Sequence, residues 1–221
     1  SDIEAIAAGA QQMRTLATEY PAGRPDSLTF SARRNSNTAP FGGDPSSAAY
    51  IAHYRESGEN HMVVQTSNVI LAVNKARRVP NPKTSLPLDG SPSLAEATRR
   101  VVTHETGHVI DFNTKDSPAG TSLNLKAESA RVTQSNAMKT QLTEKNIPFG
   151  KGSDIGVAVR SGLTPPPIGF YGLSNTAEFI AESFTAKVHG IDIGANLIGR
   201  LLAGAGSMTG TLFPILNTGN V

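Results

Sequence analysis

Residues 93–112 read SLAEATRRVVTHETGHVIDF, and this stretch predicts one long helix. Ser93 is a favourable N-cap residue, and Glu96 stands three positions later, which is the spacing of a capping box. The body of the helix carries the pattern His-Glu-x-x-His at His104, Glu105 and His108. Because residues four apart lie one turn apart on the same helix face, the two imidazoles can reach a single metal ion.

The glutamate of this pattern has a different expected role. Glu105 follows the first histidine and points to the side of the histidine face, so its carboxylate can hold a metal-bound water instead of the metal. Zinc lowers the pKa of such a water from about 15.7 towards about 7, and Glu105 would take its proton and pass it to the leaving amine. The motif therefore predicts Zn²⁺ as cofactor and peptide-bond hydrolysis as the reaction; a chance occurrence of the pattern is the alternative.

A catalytic zinc ion takes three protein ligands and keeps one position open, so the chain must supply a third ligand. Asp111 lies on the same helix, where it would crowd the ion, and its other role is a hydrogen bond at the helix end. His189 stands at a predicted helix end before Gly190, which favours an exposed position. Glu178 is the strongest candidate, because it and Glu182 lie four apart on one helix face. Glu182 would then bond a ligand histidine; a solvated acidic edge is the alternative.

Residues 104–111 read HETGHVID, and residues 170–184 read FYGLSNTAEFIAESF. Both segments resemble the catalytic domain of anthrax lethal factor and its relatives, zinc metalloproteases that share their domain type with bacterial Pro-Pro endopeptidases. The first segment is similar to that family's His-Glu-x-Gly-His-x-x-Asp, and the second resembles its Tyr-Gly followed by Asn-x-x-Glu-Phe-x-Ala-Glu-x-Phe. The resemblance covers roughly residues 94–190.

The resemblance implies a gluzincin-type site in which Glu178 is the third metal ligand and Glu182 orients a ligand histidine. It also implies that Tyr171 donates a hydrogen bond to the developing oxyanion or to the leaving group. The expected fold is α+β and zincin-like, with a small twisted sheet packed on the active-site helix and a mostly helical C-terminal half. A second hypothesis is a structural or interaction protein of a phage particle or toxin complex that retains a zinc-binding zincin scaffold. A third possibility is a delivered toxin, which would use the same zinc-dependent hydrolysis as the first hypothesis.

The composition of the chain limits the classes of binding partner that we expect. The net charge of +2 is too small to indicate nucleic acid as a partner, and the absence of cysteine excludes thiolate ligands, thiol nucleophiles and disulfides. The apolar stretch 191–216 contains Asp192, Arg200 and Pro214, so we expect no membrane span. The expected partner is a protein or peptide substrate, and a secreted or delivered bacterial or phage protein fits the composition.

The remaining elements follow from periodicity and turn residues. We expect helices at residues 1–18, 46–55, 123–145, 177–189 and about 194–203, strands at 28–32 and within 61–73, and loops at 75–92 and 148–167. The strand 69–73 is expected to pair with an extended substrate. Residues 1–60 would form a helical, loop-rich N-terminal region and residues 61–221 the zincin-like domain, unless the whole chain is one domain.

Overall fold

A computed structural model describes residues 1–32, 40–78, 93–150, 152–166 and 168–191. The chain divides into two units, and within the described residues the first ends at Ser117 and the second begins at Pro118. The helix expected near residues 194–203 lies outside the described residues. In the part of the chain that is described, no helix has both the length and the apolar character needed to cross a membrane.

In its described residues, the first unit contains three helices and three strands. In chain order they are α1 (Asp2–Glu19), β1 (Ser27–Ser31), β2 (Ala49–His53), β3 (Asn60–Gln65), α2 (Thr66–Arg78) and α3 (Leu94–Thr114). Short 3-10 turns stand at Pro21–Gly23 and Pro40–Gly42.

Helices α1 and α3 begin at the residues that the capping signals predict. The Ser1 side chain and the Glu4 side chain form a reciprocal capping box at the start of α1. The Ser93 side chain accepts a hydrogen bond from the backbone N–H of Glu96 at the start of α3. The two helices pack against each other, and burial of apolar side chains such as Leu16 on α1 stabilises the contact. The start and orientation of the helix with the His-Glu-x-x-His pattern are therefore fixed by its own cap and by α1.

The sheet is small and mixed. β3 is the central strand, with β1 parallel to it on one side and β2 antiparallel on the other. The side chains of Met62, Val63 and Val64 on β3 are fully buried, and α3 packs on β2 and β3. The coarse expectation of an α+β chain with a small sheet on the predicted site helix is confirmed. The domain boundary expected after residue 60 falls inside strand β3, which begins at Asn60. Both strands that pair with β3, namely β1 and β2, lie within residues 1–60.

The helix expected at residues 46–55 is wrong, because Ala49–His53 is the edge strand β2. The two alanines of this segment suggest a helix, but pairing with β3 supplies the backbone hydrogen bonds, and tertiary context overrides a weak local preference. Tyr50 and Ile51, which favour strands, stand at its centre.

The strand expected at residues 69–73 is also wrong, because these residues lie inside helix α2. Val69 and Val73 are buried, one turn apart, whereas Leu71 between them is half exposed, which is the pattern of one helix face. Because the segment is helical, it cannot pair with an extended substrate as an edge strand, and that prediction is also wrong. Helix α2 also reaches four residues into the loop that was expected from residue 75.

The second unit is helical where it is described, as expected for the C-terminal half. It contains α4 (Pro118–Glu144), α5 (Asp154–Arg160), a 3-10 turn at Tyr171–Leu173 and α6 (Thr176–Val188). Helix α4 begins five residues before the expected start at residue 123, because proline is tolerated at the first helical position. Helix α5 lies in an expected loop, although Asp154 in its first turn and Arg160 in its last turn are local signals of helix ends.

Glycine at position 23 allows a close contact with helix α3. A Cβ at this position would lie 2.5 Å from Cγ2 of Thr106 and 3.1 Å from Cγ1 of Ile110. Gly23→Ala should therefore destabilise the protein by about 1–3 kcal/mol through overpacking, measured as a lower urea midpoint at an unchanged slope. Gly150→Ala is the control, because its Cβ would meet nothing closer than Ser153 Oγ at 3.7 Å. Equal midpoints for both variants would show that the contact at Gly23 does not matter.

Candidate metal centre

His104 and His108 lie on the same face of α3. Their Nε2 atoms are 3.2 Å apart, and their rings meet edge to face. The opposite side of the helix is anchored in the core by Val102 and Val109, which are fully buried. Because the apolar side fixes the rotation of the helix, both imidazoles point in one direction and remain half-buried.

Glu178 is placed by the start of helix α6. Asn175 is the N-cap of α6, and its Oδ1 accepts a hydrogen bond from the backbone N–H of Glu178 at 2.9 Å. Phe179 and Ile180, the next two residues, are fully buried. The cap and the two apolar side chains determine which way the first turn of α6 faces, and the Glu178 side chain stays half-buried.

His104, His108 and Glu178 form a group that could hold a metal ion. Each offers one ligand atom, an imidazole nitrogen or a carboxylate oxygen, and these atoms all lie within 4.8 Å of one another. Two ligands of a tetrahedral zinc ion, each about 2.0–2.1 Å from it, are separated by about 3.3 Å, close to the spacing of the two imidazoles. Two histidines and one glutamate are a known donor set of catalytic zinc sites, and imidazole nitrogen disfavours Mg²⁺ and Ca²⁺.

The two alternative ligands suggested by the sequence are not in this group. Among the residues that the structure describes, neither Asp111 nor His189 contributes a ligand atom to it. His189 is instead the C-cap residue of α6, where its backbone N–H bonds the last carbonyls of the helix.

Two further glutamates of the motifs are buried. Glu105 on α3 is 7% exposed, and Glu182 on α6, one turn after Glu178, is 1% exposed. A buried carboxylate is costly unless it is paired, so such positions mark sites where the charge has a role. Gly172 allows the 3-10 turn to pack closely on Ile168, because a Cβ there would lie 2.9 Å from Cγ1 of Ile168, whereas Cβ and Cγ of Glu182 would be at 3.4 Å.

Tyr171 is directed at Glu178. Its hydroxyl donates a hydrogen bond of 2.9 Å to Oε1 of Glu178, and its side chain is 41% exposed. The hydrogen bond restrains the carboxylate, and the exposed ring leaves the hydroxyl accessible from solvent. The structure therefore pairs the predicted hydrogen-bond donor with the predicted third ligand.

A cluster on α4 supports this part of the chain, and the sequence patterns did not predict it. Nε and Nη2 of Arg131 each donate a 2.8 Å hydrogen bond to the Glu128 carboxylate, and Nη1 donates to the carbonyl of Leu173 at 3.1 Å. The hydroxyl of Thr176, the first residue of α6, donates to Oε2 of Glu128 at 2.5 Å. An i, i+3 ion pair on a helix is too common to identify this cluster. The N-cap residue Asn175, by contrast, could have been identified from the sequence, because asparagine favours this position and stands just before the helix predicted at 177–189.

The Glu128 carboxyl has a strongly shifted pKa. Its pKa is lowered from the ordinary 4.5 to about 2, chiefly by the hydrogen bonds from Arg131 and then by that from Thr176. The pair in turn raises the pKa of the Arg131 guanidinium. The cluster therefore stays charged over the whole range in which proteins are normally folded.

Comparisons with protein families, with curated proteins and with solved structures return no match to this chain.

The ligand group predicts a divalent-metal site that depends on all three residues. Wild-type protein should bind one zinc ion per chain, and Glu178→Ala should weaken binding at least about tenfold because a two-histidine site lacks its third donor. Competition with a chromogenic chelator measures the affinity. Asp111→Ala and His189→Ala are matched controls and should bind zinc as the wild type does. Unchanged affinity in Glu178→Ala would remove this residue from the ligand set.

The lowered pKa of Glu128 predicts a pH-dependent contribution to stability. The folded pKa lies below the unfolded one, so the stabilisation is fully present above about pH 4.5 and is lost as the pH falls towards 2. In metal-free protein, Glu128→Gln should lower the unfolding midpoint at pH 6 only slightly, because the Glu128 side chain is 45% exposed, and this small difference from wild type should shrink at pH 2.5. The exposed Glu144→Gln controls for charge. A difference that is the same at both pH values would contradict the pairing.

Proposed function

We propose that the chain is a zinc-dependent endopeptidase that hydrolyses peptide bonds, with His104, His108 and Glu178 as the metal ligands. The observation that carries the proposal is the convergence of their two nitrogens and one oxygen within 4.8 Å. The donor set fits zinc and leaves a fourth position open. A bound zinc ion supplies Lewis-acid polarisation of the scissile carbonyl and lowers the pKa of water towards about 7.

Glu105 is the proposed general base. It directly follows the first proposed ligand histidine on α3, and the residue as a whole is 7% exposed, so bulk solvent has little access to it. In this role it accepts a proton from the attacking water and delivers that proton to the leaving amine, a shuttle that needs one carboxylate in two protonation states.

Tyr171 and Glu182 are proposed to complete the site. The Tyr171 hydroxyl lies 2.9 Å from a carboxylate oxygen of Glu178, and rotation about its Cζ–Oη bond would redirect the donated hydrogen bond to a substrate oxyanion beside it. Glu182 is buried one turn further along α6, and we assign it the orientation of a ligand histidine. The burial of Glu182 supports this assignment, because a carboxylate in that position requires a hydrogen-bonded partner.

A zincin-like fold is part of the same proposal. It is supported by the packing of a small mixed sheet on α3 and by the resemblance of residues 104–111 and 170–184 to the lethal factor group. The substrate is proposed only as a class, a protein or peptide.

Glu105→Gln tests the reaction separately from metal binding. Zinc content should remain near one per chain, while cleavage of a peptide library should fall by about 10²–10⁴-fold, because the amide cannot accept the proton. Elemental analysis and mass spectrometry of the cleaved library measure the two quantities. Asp116→Asn, an exposed acid after α3, is the control and should cleave as the wild type does.

Two outcomes would contradict the proposed function. Full activity in Glu105→Gln would show that another group activates the water. A wild-type protein that holds zinc but cleaves no member of the library would favour the structural or interaction protein with a zinc-binding scaffold.

A further inference from the structure

Helix α4 contacts both ends of a short backbone segment in the second unit. Through Nη1, Arg131 bonds the carbonyl of Leu173, the last residue of the 3-10 turn, at 3.1 Å. Oε2 of Glu128 accepts a hydrogen bond from the hydroxyl of Thr176, the first residue of α6, at 2.5 Å. Tyr171 stands two residues before the first contact, and Glu178 stands two residues after the second.

The two α4 residues also fix each other. Nε and Nη2 of Arg131 engage the two Glu128 carboxylate oxygens in a fork, at 2.8 Å each. A planar guanidinium that is held on two sides can direct its third N–H at one carbonyl with little freedom, which an ammonium group on a flexible chain cannot do. The low pKa of Glu128 is consistent with this arrangement.

We propose that Arg131 and Glu128 are positioning residues, which hold the backbone from Tyr171 to Glu178 so that the tyrosine hydroxyl and the ligand carboxylate are aligned before a metal binds. Only the consequence for catalysis rests on the proposed function. The positioning itself is a property of the metal-free chain.

The exposure of the pair argues against a merely structural role. The Arg131 side chain is 21% exposed and that of Glu128 45%, and exposed ion pairs contribute little to global stability. Their effect should therefore appear as local order in one segment and not as a large change in the unfolding midpoint.

Hydrogen exchange of the metal-free protein tests the inference without reference to activity. In Arg131→Met, amides of residues 171–178, including the Glu178 N–H that bonds Asn175, should exchange about tenfold faster, with α3 and α5 unchanged. Arg131→Lys should fail to restore protection, because its charge is kept but its fork is lost. Thr176→Val should resemble Arg131→Met, and Thr176→Ser should resemble the wild type.

Lys139→Met is the matched control. Lys139 is another cation on α4, and it pairs with Asp154 of α5 at 3.3 Å instead of with the turn. This variant should leave exchange at residues 171–178 as in the wild type.

Zinc binding and kinetics give the second readout. Arg131→Met should weaken zinc binding about tenfold in chelator competition and lower kcat with KM nearly unchanged, as expected when a ligand loses its support. Wild-type exchange at residues 171–178 in Arg131→Met would overturn the inference, as would faster exchange spread evenly over the second unit. If the wild type binds no zinc, the proposed function fails, while the exchange experiment still decides whether the pair positions this segment.

Discussion

Tight binding of one cation by two imidazoles and one carboxylate requires that ordering their backbone does not consume much of the binding free energy. In this chain the requirement is met by local devices on each helix. On α3, Ser93 caps the first turn, and the buried side of the helix leaves His104 and His108 together on the other side. On α6, Asn175 caps the first turn and directly bonds the backbone of Glu178, the candidate third ligand. Pre-ordered ligands of this kind are what a tight metal site needs.

Support for the site extends beyond the residues that would touch a metal. The absence of a side chain at Gly172 allows the turn before α6 to pack closely on Ile168. The guanidinium of Arg131 bonds the end of that turn, and the carboxylate beside it bonds the start of α6. The Tyr-Gly and Asn-x-x-Glu parts of the second motif thus have separate physical reasons: a close approach in one case and a helix cap in the other. A reaction that needs sub-ångström alignment depends on such supports as much as on the ligands.

What the sequence could predict depended on whether the signal was local. Helices α3 and α6 were predicted to within two residues at each end, because caps, apolar spacing and a following break lie within the segments themselves. The same local signals were enough to make His104, His108 and Glu178 candidate ligands. The predictions for segments 46–55 and 69–73 are wrong, because contacts outside each segment decide between helix and strand. Pairing with β3 makes the first a strand, and packing of one face of α2 makes the second a helix. Glu128 and Arg131 could not be found, since their contacts join residues more than 40 positions apart.

The most direct measurement is a crystal structure of the zinc-loaded protein with anomalous diffraction recorded at the zinc edge. We expect one anomalous peak per chain, about 2.0–2.2 Å from a nitrogen of His104, a nitrogen of His108 and a carboxylate oxygen of Glu178. A peak that lies away from either histidine, or that leaves Glu178 outside the first coordination sphere, would contradict this expectation.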